Sequence, residues 1–388
     1  MAKKPTTSSA PAAIDKATCG QIVLVLQGGG ALGAYQAGVF QSLHEAGVEP
    51  DWVIGTSIGA INAALIAGNS PEKRLPRLRE FWSRMRHNPW TQMLGATPVF
   101  GAHVAHGMTM MGGIRGFFEP NPFAWMGPQA TLGAESAAYY RTGVLEKTLN
   151  ELVDFDLLNS GTTRLSVGAA NVQTGEMHYF DSREMRLDAR HIMASGALPP
   201  AFPAIRIDGE LYWDGGILSN TPVEAVFDDN PRRDSLVFAV HLWSPNGPEP
   251  DSLAKVAARQ KDLQYASRAK SHIMRQRQIH KLRHIIAELA KQLPEGVGSN
   301  SQISEMAGYG CLTRMHVVRL LAPNLAGEDQ LKDIDFSPEG IRARWDAGYL
   351  DTSRVLARAP WNDPHDPLEG FILHEAQAGE LMPDEDNA

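Results

Sequence analysis

Two glycine turns, each joining a short apolar run to a helical pattern, fall within residues 21–68 and constrain everything that follows. The run 22–26 ends in Gly28-Gly29-Gly30, and Ala34, Ala37, Val39, Phe40 and Leu43 then recur at helical spacing up to Gly47, a natural helix-ending glycine. A second run, Trp52-Val53-Ile54, enters Gly55-Thr56-Ser57-Ile58-Gly59, and residues 60–67 are helical up to Gly68. Strand, turn, helix, strand, turn, helix predicts the opening of a parallel sheet with helices packed on it.

The second turn carries G-x-S-x-G between a strand and a helix, the pattern of a nucleophile elbow. Gly55 and Gly59 leave room for a tight turn that lifts the Ser57 hydroxyl above the sheet edge, and the next helix aims its free N–H groups at the same place. The first turn should lie alongside, since functional turns gather at the carboxyl ends of parallel strands. Ser57 is thus a candidate nucleophile. Gly28, Gly29, Gly30 and Ala31 form the candidate oxyanion turn, with the amides of the last three as donors. Gly28-x-Gly30-x-x-Gly33 also fits a dinucleotide fingerprint, but that needs an acid closing the second strand, and here the strand closes in Gly55-Thr56-Ser57.

These two turns, with Asp214-Gly215-Gly216 far downstream and the Ser- and Pro-rich stretch Ala194-Ser195-Gly196-Ala197-Leu198-Pro199-Pro200-Ala201-Phe202-Pro203 before it, resemble the patatin-like phospholipases. The resemblance covers residues 20–245. It implies a three-layer α/β/α core, a modified α/β-hydrolase fold, with lipid acyl hydrolase activity through a Ser57–Asp214 dyad. One position departs: Leu32 stands where many members carry Arg or Lys, so an oxyanion hole here rests on backbone donors. Without the resemblance, Asp214 could simply open a turn after the Asp208-Gly209 hairpin. The chain order Ser57, Asp214, His241 also leaves room for a triad completed by His241.

The dyad makes a chemical demand. A solvated aspartate has a pKa near ~4 and is a poor base toward a hydroxyl, so Asp214 is expected to be desolvated, with Tyr212 and Trp213 as neighbours. Two alternatives stay open: an esterase for another ester, such as storage polyester oligomers, and an inactive lipid-surface scaffold. No cofactor or metal is implied. Cys19 and Cys311 are the only cysteines in the 388 residues and form no ligand cluster, so a reducing cytosol is expected. No apolar run reaches transmembrane length, and the N-terminus lacks the apolar stretch of a signal peptide.

The remaining organisation follows from composition. Residues 1–19 are expected to be a disordered lead-in. Residues 87–130 hold a single acid, Glu119, among many glycines, methionines and aromatics. They form either a lid that binds acyl chains, through Met108, Met110, Met111, Phe117 and Phe118, or an irregular cap completing the core. Beyond Pro245 the resemblance weakens, and a mainly helical extension is expected over 246–358. Its segment 251–292 carries ten Lys and Arg against three acids in a chain of net charge −8. An apolar stripe (Ile279, Leu282, Ile285, Ile286, Leu289, Leu293) runs along it. That helix either packs on the acidic core or contacts an anionic membrane or lipid granule; too few aromatics accompany it to suit nucleic acid. Residues 359–388, with eight acids and no Lys or Arg, are expected to be a solvated or partner-bound tail. Oligomeric state leaves no signature in the sequence.

Overall fold

A computed structural model of the chain describes residues 14, 16–86, 112–294, 301–325, 328, 331–366 and 368–375. The opening unit folds as its apolar pattern dictates. β1 (Gln21–Leu26) and β2 (Trp52–Thr56) pair in parallel, Val23 beside Trp52 and Leu26 beside Gly55. α1 (Ala34–Glu45) crosses between them and α2 (Ile58–Ala67) leaves the end of β2. Both strands are apolar along nearly their whole length because both faces of a parallel sheet are covered. α3 (Pro71–Arg84) buries Leu75, Leu78, Phe81 and Trp82, the face its spacing predicts.

After α4 (Gly143–Leu152) come β3 (Arg164–Asn171) and β4 (Met177–Asp181), an antiparallel pair, then α5 (Ala189–Ser195), capped by Asp188. β5 (Ile205–Ile207) and β6 (Glu210–Asp214) form the expected hairpin, with Asp208 and Gly209 both at positive φ, the conformation that suits an Asp-Gly turn. β7 (Ser235–His241) pairs with β1 on the side away from β2. Further on lie α6 (Leu253–Lys291), α7 (Ser301–Gly308), β8 (Met315–Leu321), α8 (Pro338–Arg358) and β9 (Phe371–Glu375). The nine-stranded sheet runs β9-β8-β7-β1-β2-β3-β6-β5, with β4 paired to β3 off this path. Alternate residues of β1 feed two cores: Ile22, Leu24 and Leu26 join one face, Val23 and Val25 the other. Helices cover both faces, giving three layers.

The C-terminal extension contributes strands as well as helices. β8 lies beside β7 and β9 beside β8, both in parallel, so the sheet continues past the sequence change at Pro245. α8 packs closely on α1: a Cβ on Gly38 would come 1.9 Å from the Trp345 carbonyl oxygen, and one on Gly348 would come 2.1 Å from that of Tyr35. The paired glycines let the two backbones touch. Tyr35 Oη also donates to Asp351 at 2.9 Å and Trp345 Nε1 to Gln41 at 2.7 Å.

Two expectations are corrected. The segment beyond 359 is not solvated throughout: Phe371, Ile372 and Leu373 sit in β9, and Phe371 is buried with its ring 5.3 Å from that of Phe227. A short apolar run among acids was outweighed in the charge count. In the lead-in, Lys16–Cys19 is a turn of helix, with Lys16 paired to Asp51 at 2.7 Å; residues 1–13 lie outside the described residues. The apolar stripe of α6 is split, with Ile279, Ile285 and Ile286 half-buried and its leucines turned outward. Leu282 and Leu289 are 60% and 63% exposed, while Asp262, Ala266, Ile273, His280 and His284 are buried. Polar partners set that seam, among them Lys332 for Asp262 at 2.7 Å and the Met315 sulfur for His280 at 3.2 Å. Among the described residues, no helix is long and apolar enough to cross a membrane.

Candidate active site

β3 is the template that brings the two sequence-predicted groups together. Its Gly168 pairs with Thr56, the last residue of β2, and its next residue, Ala169, pairs with Asp214, the last residue of β6. β4 occupies the opposite edge of β3. β6 therefore takes up the ladder where β2 leaves it, and Ser57 and Asp214 emerge at one junction. The Ser57 hydroxyl is among the groups that act on the Asp214 carboxyl.

Each partner is held by its own turn. Ser57 sits at φ 56°, ψ −125°, a conformation costly for a residue with a side chain. Its hydroxyl makes no capping bond to α2. Its amide donates to the Ser195 carbonyl at 3.0 Å and to Ser195 Oγ at 3.1 Å, while Ser195 Oγ donates to the Gly168 carbonyl at 2.6 Å. Gly55 and Gly59 let α2 start against the strand ends: a Cβ on Gly59 would lie 2.2 Å from the Leu26 carbonyl oxygen, and one on Gly55 2.3 Å from that of Gly59. Asp214 is buried, and its Oδ1 accepts from the Gly216 amide at 2.7 Å. Burial pushes its carboxyl up to about 6, against the hydrogen bonds from Ser57 and Gly216 that pull it down. Tyr212, two residues before it in the strand, is buried and donates to Glu210 at 2.8 Å; Trp213 is half-buried.

The glycine turn faces the same junction. A Cβ on Gly28 would lie 3.0 Å from Ser57 Cβ and 2.4 Å from Asn220 Oδ1, and one on Gly216 would lie 2.8 Å from the same Oδ1. Asn220 thus touches both turns. Its Nδ2 donates to the Gly28 carbonyl at 3.1 Å, and its own carbonyl accepts the Gly28 amide at 3.2 Å. The Gly28 N–H is therefore engaged within the turn's own scaffold and is not an open donor. Gly30–Gly33 form a 3-10 turn whose leading bond runs from the Leu32 amide to the Gly29 carbonyl at 3.1 Å. The amides of Gly29, Gly30 and Ala31 precede that bond and so have no acceptor within the turn. Leu32 is buried against a small cavity shared with Tyr35, Lys332 and Arg344.

Other candidates fall elsewhere. His241 is buried at the end of β7, its pKa held down to about 3 by burial and then by Arg319. The groups acting on Asp214 are Ser57 and Gly216, not this imidazole. Phe117 and Phe118 are buried in an aromatic cluster with Phe202, Tyr140 and Phe336. Met108, Met110 and Met111 lie outside the described residues. Among the described residues, no group of three His, Cys, Asp or Glu is arranged to hold a metal ion.

Residues 24–227 match the family model for patatin-like phospholipase. The chain belongs to the patatin-like phospholipase family. A second model, described as a patatin phospholipase, matches residues 263–368, within the extension. The chain is 28% identical over 267 residues to lysophospholipase nte1 of Aspergillus terreus, covering 62% of this chain and 15% of that protein. It is 44% identical over 66 residues to triacylglycerol lipase ptl3 of Schizosaccharomyces pombe, covering 17% of this chain and 14% of that one. The chain thus spans only a small part of either relative. Among solved structures it resembles VipD from Legionella pneumophila, with a TM-score of 0.38 and 18% identity over 92% of this chain and 72% of that one. Within this patatin-like core, Ser195 and Asn220 are positions that brace the candidate site and that sequence reasoning passed over. Both sit inside stretches quoted for the resemblance or directly after them, yet neither residue type announces a role.

Proposed function

We propose that this chain hydrolyses lipid acyl esters through an acyl-enzyme on Ser57. Asp214 accepts the hydroxyl proton as Ser57 attacks the acyl carbonyl, and the amides of Gly29, Gly30 and Ala31 receive the oxyanion. As the intermediate collapses, Asp214 returns the proton to the departing alcohol. It then deprotonates the attacking water and passes that proton to Ser57 Oγ as the acid is released. One observation carries the reading: a serine in a strained left-handed turn and a buried carboxylate emerge at one junction of the sheet, and the carboxyl, with the Ser57 hydroxyl among the groups acting on it, has its pKa raised to about 6. A base of that strength suits a hydroxyl at neutral pH better than an ordinary aspartate does. The lipid preference rests on the family and on the relatives' names, lysophospholipase and triacylglycerol lipase.

Serine labelling by a fluorophosphonate probe tests the enzyme reading directly; a folded protein that resists labelling at Ser57 would overturn it. A panel of phospholipids, triacylglycerols, short-chain esters and hydroxyacid oligomers then assigns the substrate, with phospholipid or another long-chain lipid ester expected to turn over fastest. The pH profile gives a further expected outcome. Asp214 acts only when ionised, so kcat/KM should be level above neutrality and fall by a factor of ten per pH unit below about 6. An inflection near ~4 would mean a solvated base and a different mechanism.

Access to lipid is assigned to the outward face of α6. Leu282, Leu289 and Leu293 are exposed beside Lys281 and Lys291, and Met306 and Tyr309 lie exposed at and just after α7, which packs on α6. Apolar side chains among lysines suit the boundary of an anionic membrane or lipid granule. The double variant Leu282→Glu/Leu289→Glu should lower co-sedimentation with phosphatidylglycerol vesicles by roughly tenfold or more, from lost burial and added charge repulsion. Turnover of a short soluble ester should be unchanged.

A further inference from the structure

Two adjacent residue pairs, each lysine followed by aspartate, face each other across the junction between α6 and the loop carrying Lys332–Ile334. They join crosswise. Lys261 Nζ binds the Asp333 carboxylate at 2.8 and 3.0 Å, and Lys332 Nζ binds Asp262 Oδ1 at 2.7 Å. The second pair is buried, its side chains 7% and 12% exposed. Burying two charges costs several kcal/mol per ion, and such a pair commonly adds no net stability over apolar residues of the same size. What it does fix is position.

The position it fixes is that of the glycine turn. Lys332 Nζ lies 5.4 Å from the centre of the Trp243 ring, and Trp243 Nε1 donates to the Gly28 carbonyl at 2.8 Å. Tyr265, one turn along α6 from Lys261, packs its ring 4.9 Å from that of Trp243. On the other arm, the backbone carbonyl of Asp333 abuts Gly30, where a Cβ would come within 2.2 Å of its oxygen. The turn is therefore braced at Gly28 by an indole and at Gly30 by a carbonyl, and both braces are set by the crossed pairs.

We infer that the crossed pairs Lys261–Asp333 and Lys332–Asp262 are a positioning device for the oxyanion turn, through which the C-terminal extension takes part in catalysis. The inference rests on the reading of Ser57 as nucleophile and deepens it. None of the four residues touches substrate. They hold the Gly29, Gly30 and Ala31 amides against Ser57, where a displacement of about 1 Å can cost on the order of a hundredfold in rate.

The test uses the full-length protein with a short soluble ester and a fluorophosphonate. Lys332→Met and Asp262→Asn should each lower kcat and the labelling rate by about tenfold or more, with KM within about twofold. Lys332→Arg should recover most of the loss, and so should the exchange Asp262→Lys/Lys332→Asp relative to either single change. Breaking an exposed ion pair, Arg186→Ala opposite Asp156, should leave kcat alone. A lowered Tm with unchanged kcat in folded Lys332→Met would make the pair merely structural and overturn the inference. Should the buried variants fail to fold, Lys261→Met and Asp333→Asn on the more exposed arm decide instead: a fall of about threefold in kcat supports the clamp, and none overturns it. Failure of the wild-type protein to label or turn over would fall on the proposed function instead, so the two failures are distinguishable.

Discussion

Replacing Asp214 by Asn is expected to remove nearly all turnover while making the folded protein more stable at pH 8. The loss follows from chemistry. Asparagine can still accept the Gly216 amide, but it cannot take a proton from Ser57, and loss of a general base typically costs on the order of 10²–10⁴-fold. The gain follows from linkage. Burial raises the folded carboxyl from 3.8 to about 6, so the folded state holds this proton more tightly than the unfolded chain. The stability that this proton contributes is fully present below about 4 and is lost as pH rises through 6. At pH 8 the buried charge therefore costs about 3 kcal/mol relative to the unfolded reference. The asparagine side chain carries no charge and avoids that cost. Denaturant melts at pH 8 should show the variant more stable by roughly 1–3 kcal/mol, and at pH 4 the advantage should vanish. Equal stability at pH 8 would mean that Asp214 is not buried as a charge.

How much of this was legible depends on how narrowly each position is constrained. The elbow could be read because Gly55 and Gly59 meet backbone atoms that no side chain can displace, and such contacts leave a mark in the sequence. The pairing of Ser57 with Asp214 was legible only through the order of motifs. What creates it, the handover on β3 from Thr56 to Asp214, is a register that no local pattern encodes. Asn220 was not legible at all: an amide that bonds one glycine and fills the space beside another looks like any turn asparagine. The α6 stripe left two readings open for a physical reason. Spacing shows that a helix has an apolar face, but not whether the fold or a lipid covers it, and the inner seam here combines Asp262, His280 and His284 with Ala266 and Ile273. Phe117 and Phe118 illustrate the same limit, since an aromatic side chain that packs and one that binds an acyl chain are written alike.

Gly30→Ala is the change expected to act most strongly on the oxyanion turn while leaving the base and nucleophile untouched. Gly30 stands at φ 54°, where an alanine costs roughly 1–2 kcal/mol for its conformation alone. The added methyl would also meet the Asp333 carbonyl oxygen at 2.2 Å, so either the turn or the loop must move. The loop is tied through Asp333 to Lys261 and through Lys332 to Asp262, whereas the turn begins with amides that have no bond within it. The turn should give way. Displacing one oxyanion donor costs on the order of 10²–10³-fold in kcat, so that is the expected loss, with KM little changed and the Asp214 inflection near 6 retained. A second change distinguishes displacement from misfolding: Asp333→Gly in the Gly30→Ala background frees the loop to yield instead. If the double variant regains kcat, the turn and the extension share one strained contact. If it regains none although both variants melt as folded proteins, the amides of this turn are not what the oxyanion meets.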